Sequence, residues 1–164
     1  MESLGIKDET AIIWTSDHGE QLFEHGLLTK FVFYEASVHV PMFIYYPGLK
    51  PGKSEALAEH VDIFPTICDL LNKPYPSSVQ GKSLARILRG EDAGNNHRDV
   101  VFSEIANRKM IRTTKWKLNT ELGVPQELYD MECDPCEFYN LINDKKYRKV
   151  IDLLLSRMER WLLE

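Results

Sequence analysis

The sequence predicts an α/β chain followed by a smaller α+β module, and three observations carry that reading. Two short runs rich in β-branched and aromatic residues occupy 10–16 and 38–46, and an amphipathic helical pattern follows from Asp62. From residue 100 the pattern changes to closely spaced strand-like pieces, and the chain closes with a long amphipathic stretch. Strands mixed with helices and then strands covered by one helix are the two layer arrangements that bury an apolar face on each element.

The first run, 10–16, ends in Asp17-His18-Gly19 and reads as a buried strand that delivers polar residues at its carboxyl end. Residues 19–31 hold two glycines and mixed polarity without clean periodicity and read as a loop crossing the top of a sheet. The second run, 38–46, is closed by Pro47-Gly48, and Pro51-Gly52 extends the turn region. Asp62 can cap a helix whose first turn tolerates Pro65; Ile63, Ile67, Leu70 and Leu71 recur at helical spacing before Lys73-Pro74 stops it. Ser83 caps a brief helix with Leu84, Ile87 and Leu88 on one side and Gly90 at its end. Residues 91–98 are polar and read as exposed.

In the second half, 100–105, 109–118 and 127–130 read as strands of a small antiparallel sheet. Over 144–163, Tyr147, Ile151, Leu154, Met158, Trp161 and Leu162 form one apolar helical stripe. The resulting division is 1–98 and 99–164.

Composition narrows the function classes. With 25 acidic and 20 basic side chains the formal charge is −5, and the basic residues are scattered. Nucleic acid is therefore not the expected partner, because phosphate binding needs a concentrated basic face. Nearly uncharged stretches such as 40–49 reach about ten residues and contain prolines, whereas a bilayer needs about twenty apolar residues, so no membrane span is expected. The first nine residues are acidic where a signal peptide is basic, so no export signal is expected in the chain as written. Among the three cysteines only Cys133 and Cys136 have CxxC spacing; without a second such pair, and with Pro135 between them, they read as turn thiols.

The densest polar constellation is Ser16-Asp17-His18-Gly19-Glu20 with Glu24-His25-Gly26 and Lys30. A carboxylate beside an imidazole at the carboxyl edge of a strand offers two donors to a divalent cation, and Gly19 lets backbone approach closely. A full site needs four to six ligands, so others must come from elsewhere. Taken singly, Asp-His-Gly is more often an Asx-type turn, His25 hydrogen-bonded scaffolding and Lys30 a solvated lysine. Lys109 and Arg112 read as solvated strand residues before they read as contacts to an anionic substrate.

The whole string changes that weighing. Ser-Asp-His-Gly-Glu-Gln-Leu-Phe-Glu-His-Gly-Leu-Leu-Thr-Lys over 16–30 and Phe-Tyr-Glu-Ala-Ser-Val-His-Val-Pro over 33–41 resemble the sulfatase family of the alkaline-phosphatase superfamily. The resemblance continues through His60-Val61-Asp62 and the helix after it, Gln-Gly-Lys-Ser-Leu over 80–84, and Glu-Leu-Tyr-Asp-Met-Glu-Cys-Asp-Pro-Cys-Glu-Phe-Tyr-Asn-Leu over 127–141. It covers essentially the entire chain in the family's order.

The resemblance implies that 1–98 is the C-terminal part of an alkaline-phosphatase-like mixed sheet with helices, and 99–164 a small antiparallel subdomain with a long helix. It implies that Asp17 and His18 bind a divalent cation, calcium first, with manganese or magnesium possible. Lys30 would contact sulfate oxygens as a catalytic and substrate-binding cation, with His25 near the substrate. The substrate class is a sulfate-ester small molecule or a sulfated carbohydrate, and relatives of this kind are periplasmic, secreted or lysosomal. The family's nucleophile is a formylglycine made within Cys-x-Pro/Ala-x-Arg; none of Cys68, Cys133 and Cys136 fits that pattern, so the chain resembles the C-terminal part of such an enzyme and is expected to be inactive alone. His39 stands where relatives often have arginine. Two other readings stay open: a phosphonate or phosphate ester hydrolase of the same superfamily, and a noncatalytic module that binds partners or polysaccharide.

Overall fold

The computed structural model describes residues 1–92, 94 and 97–163. In chain order its elements are β1 (Ile12–Thr15), α1 (Glu35–Val38), β2 (Met42–Tyr45), α2 (Ile63–Leu70), α3 (Ala85–Leu88), β3 (Val101–Ile105), β4 (Arg108–Arg112), β5 (Trp116–Glu121), β6 (Val124–Asp130) and α4 (Arg148–Trp161), with short 3-10 turns between them. They fall into two compact units: Met1–Ser16 with Pro41–Asp99, and Asp17–Val40 with Val100–Glu164. Residues 17–40 thus group with the C-terminal sheet, whereas a division at 98/99 assigns them to the first half.

In the first unit β1 and β2 pair antiparallel, with Trp14 opposite Phe43. The strand read as buried is open on one face: Trp14 and Phe43 are each 59% exposed. Its apolar residues on both faces read as a doubly covered strand, but the pair is the whole of this sheet among the described residues. The second run is also shorter than its β-branched composition implies. Val38 ends α1 and strand pairing begins only at Met42, because Pro41 has no N–H to give a ladder.

The start of α2 is organised by Asp62, which caps differently from a simple N-cap. Its buried carboxylate accepts the Glu59 N–H at 2.9 Å and the Lys82 N–H at 2.7 Å, and the Arg98 guanidinium reaches it with Nε at 3.0 Å and with Nη2. Gly81 makes the Lys82 approach possible, since a Cβ there would lie 1.9 Å from the Val61 carbonyl oxygen. Thr66 on α2 accepts the Leu84 N–H at 2.8 Å, and Ser83 Oγ accepts the Ala85 N–H at 3.2 Å; α3 begins at Ala85 with Leu84, not the expected Ser83, at its N-cap. Of 91–98, read as an exposed polar loop, 93, 95 and 96 lie outside the described residues, while Gly94 and His97 are buried. The Lys82 ammonium donates to the His97 carbonyl, which draws that part of the loop inward.

In the second unit β3, β4, β5 and β6 form an antiparallel meander. The stretch 109–118, read as one strand, is two: the chain turns at Thr113, whose Oγ accepts the Trp116 N–H at 2.8 Å. Leu122 and Gly123 adopt left-handed backbone in the next two-residue turn, as a tight hairpin requires. One face of the meander buries Ile111, Leu118 and Leu128 against Ile151, Leu154 and Met158 of α4, and the Phe102 and Trp161 rings stack at 4.6 Å. The predicted stripe is this contact, except that Leu162 is half exposed beyond the helix end.

Candidate active site

The sulfatase-like residues Asp17, His18, His25 and Lys30 all belong to the second unit. The Asp17 carboxylate is 84% exposed, its Oδ1 accepts the His18 N–H at 3.0 Å, and its Oδ2 lies 3.3 Å from His18 Nε2. The His18 backbone N–H is the largest influence holding the Asp17 carboxyl below its usual range, against an opposing desolvation effect. Lys30 is half-buried.

His18 Nδ1 stands 2.8 Å from the Gly19 carbonyl oxygen. In the tautomer that donates there, Nε2 is the basic nitrogen, and it faces the Asp17 carboxylate. A backbone partner on the far nitrogen is how metal-binding histidines are commonly oriented. A hard anionic oxygen and an imidazole nitrogen on one edge fit a divalent cation as part of a ligand set. They do not make a whole one: among the described residues no three His, Cys, Asp or Glu side chains converge.

The edge is held from below by α1. The Gly19 N–H donates to the Ser37 carbonyl at 2.8 Å, and buried Gln21 donates from Nε2 to Ser37 Oγ at 2.7 Å. A Cβ on Gly19 would lie 1.9 Å from the Ala36 carbonyl oxygen, so only glycine permits this approach.

His25 is packed among aromatic rings. Its ring stacks on Tyr34 at 3.8 Å and 7°, with Phe138 tilted against it at 5.7 Å. Its backbone is left-handed, as are Leu22, Phe23 and Gly26, so the segment carries strain of the kind that concentrates at functional loops. The Tyr34 hydroxyl donates to Glu127 at 3.0 Å, and Glu127 accepts Asn119 Nδ2 at 2.7 Å, which anchors the ring under His25. Burial pushes the Tyr34 and Tyr129 hydroxyls up, so both stay neutral.

Lys109 and Arg112 are ion-paired and half-buried, where the sequence reads them as solvated. Lys109 bonds Glu104 at 3.0 Å; Arg112 Nε lies 3.4 Å from Glu35, and Nη1 donates to the Thr113 and Thr114 carbonyls. Cys133 and Cys136 are exposed free thiols in the turn after β6.

Sequence reasoning missed the charged cluster behind α1. Glu35 receives the Lys117 ammonium at 2.6 Å and His39 Nδ1 at 3.1 Å. Burial alone would push the Glu35 carboxyl up; the His39 hydrogen bond and the charges of Lys117 and Arg112 outweigh it and hold the group at about 2, below its ordinary 4.5. Its contribution to stability is therefore complete above 4.5 and is lost as pH falls toward 2. Urea midpoints should drop across that window, and Glu35→Gln should flatten the drop. His39, raised by its hydrogen bond to Glu35, acts with the opposite sign: its contribution holds below its ordinary 6.5 and fades as pH rises through the raised value.

Comparison with known proteins places this architecture. The sequence model of the family described as N-sulphoglucosamine sulphohydrolase, C-terminal, matches residues 23–163, and the chain belongs to that sulfatase family. Arylsulfatase K of Bos taurus is 32% identical over 176 residues, covering 93% of this chain and 33% of its own length. The structure of BT4656, solved in complex with its substrate D-glucosamine-2-N,6-O-disulfate, superposes with a TM-score of 0.87 at 32% identity, over 97% of this chain and 35% of that one. A phosphonate monoester hydrolase from Silicibacter pomeroyi superposes with a TM-score of 0.82 at 30% identity, over 99% of this chain and 35% of that one. The chain spans about a third of the length of the curated relatives it matches. The mixed α/β fold with antiparallel sheets and a closing helix is that of the C-terminal part of these sulfatases. No helix among the described residues is long and apolar enough to cross a membrane.

Proposed function

We propose that this chain is the C-terminal third of a sulfuric ester hydrolase and supplies one side of its site. The observation that carries the reading is the Asp17–His18 edge, an exposed carboxylate oxygen 3.3 Å from an imidazole nitrogen whose ring is oriented by the Gly19 carbonyl. In this reading Asp17 and His18 hold part of the coordination of a divalent cation, calcium first and manganese or magnesium next. When bound, that ion acts as a Lewis acid toward the sulfate oxygens. Lys30 offsets negative charge on the same oxygens as the ester bond breaks, and the strained, stacked His25 presents its ring on the substrate side. The substrate is a sulfate ester, with a sulfated sugar favoured by the disulfated glucosamine that BT4656 takes as its substrate.

A net charge of −5 does not oppose this, because an anionic ester would meet the cation and Lys30 rather than the average surface. The nucleophile would come from outside this chain, since its cysteines lack the formylglycine pattern. The chain alone should therefore release no product from an aryl sulfate; turnover at an ordinary enzymatic rate would overturn the reading. In the longest polypeptide that contains it, Lys30→Ala should lower kcat by about 10²–10³, the usual cost of losing one charge-stabilising donor.

The second reading is phosphonate ester hydrolysis, favoured by the equally extensive match to the Silicibacter enzyme. Parallel assays of a sulfate and a phosphonate monoester with the same leaving group separate the two, and faster phosphonate turnover would select the second.

A further inference from the structure

We propose that the buried Lys117–Glu137 pair is a positioning device for the Asp17–His18–Gly19 edge, acting through α1. Lys117 is 0% exposed; its ammonium donates to the Phe33 carbonyl at 2.9 Å and to Glu137 Oε1 at 2.7 Å, and it pairs with the Glu35 carboxylate at 2.6 Å. Two directed hydrogen bonds and one further carboxylate therefore surround the buried charge. The second Glu137 oxygen accepts the Glu35 backbone N–H at 2.6 Å. The pair thus grips the chain at a carbonyl and at an N–H two residues apart, immediately before α1 turns.

From α1 the grip continues to the site. Ser37 accepts the Gly19 N–H on its carbonyl and Gln21 Nε2 on its hydroxyl, and the Gly19 Cα lies so close to Ala36 that no side chain fits. Residues 117 and 137, about a hundred positions further along the chain, thereby act on residues 17–21 through α1. An apolar pair of the same volume would fill the space without the desolvation cost of buried charges, and an ion pair adds what such a filling lacks, fixed direction. Glu137 also stands in left-handed backbone, a conformation an ordinary residue holds only where its surroundings enforce it.

This proposal rests on reading Asp17 and His18 as a functional edge, yet its test needs neither metal nor substrate. Amide hydrogen exchange is measured by NMR on the full chain for wild type, Glu137→Gln and Glu137→Asp, with Ile151→Val as a core control. The first variant keeps shape and loses charge; the second keeps charge and shortens reach. Both should accelerate exchange at Gly19, Glu35 and His39 by at least about tenfold relative to Ile111 and Leu118, as local opening of a charge-assisted contact would. Ile151→Val should change all five amides together or none. If Gly19 and Glu35 accelerate no more than Ile111 and Leu118 in the Glu137 variants, the pair is ordinary core and the proposal fails. A chain that shows the local acceleration but binds no divalent cation would instead overturn the function assigned to the edge and leave the positioning device standing.

Discussion

Replacing Asp62 by alanine should destabilise the chain by about 3–5 kcal/mol, the range for removing one partner of a buried, hydrogen-bonded ion pair. Asp62 is 0% exposed, and its two oxygens serve backbone N–H groups of Glu59 and Lys82 and both Nε and Nη2 of Arg98. Without it the Arg98 guanidinium retains Glu59 at 3.1 Å and loses its buried partner, while the Lys82 N–H faces a void. Burial works against the Asp62 carboxylate, but the Arg98 hydrogen bonds and the two backbone N–H groups outweigh it and hold the group below its usual range. Asp62→Asn should fall between wild type and alanine, since an amide keeps the shape and one acceptor but cannot take the guanidinium on two oxygens. Urea unfolding of the three proteins checks the order; a midpoint for Asp62→Ala close to wild type would remove the carboxylate from its place as the organiser of α2.

Gly19→Ala should have the second large effect, and it should be concentrated at the site. The added methyl would be placed 1.9 Å from the Ala36 carbonyl oxygen, a backbone atom that cannot swing aside like a side-chain end. The strand-end loop must lift, opening the Gly19 N–H bond to Ser37 and carrying Asp17 and His18 with it. Overpacking of this kind costs about 1–3 kcal/mol. Gly26→Ala is the contrast: its Cβ would meet open space, so the penalty is the left-handed backbone alone, about 1–2 kcal/mol. A Gly19→Ala variant that keeps wild-type amide protection at residue 19, whose N–H donates to the Ser37 carbonyl, would contradict the close contact with α1.

These two residues also mark what was legible in the sequence. Gly19 was readable as a close-approach glycine because it follows two potential ligands at a strand end, and the α4 stripe was readable from spacing. The division of 109–118 was not, because Thr113 and Thr114 are β-branched and look like strand; their hydroxyl and carbonyl groups close a turn instead. The exposure of Trp14 and Phe43 was hidden for a similar reason, as composition describes a face without saying what covers it. Charged residues hid most. Lys117 alternates with Trp116 and Leu118, which places it on the sheet face away from α4, a face that sequence assigns to water. Segment 33–35 and Glu137 cover that face, and nothing local to residue 117 announces a partner so far along the chain. His25 could be picked out from its Glu-His-Gly setting, but its stack on Tyr34 depends on Glu127 and Asn119 of the distant sheet.

The central claim is that Asp17 and His18 form one side of a divalent-cation site. Calorimetric titration of calcium, and separately of manganese, into the full chain and into Asp17→Ala tests it most directly. The wild-type chain should show a weak saturable heat with at least one of the two ions, and Asp17→Ala should abolish it while its urea midpoint stays near wild type, because the carboxylate is exposed. Identical traces for the two proteins, with heat or without, would contradict the assignment.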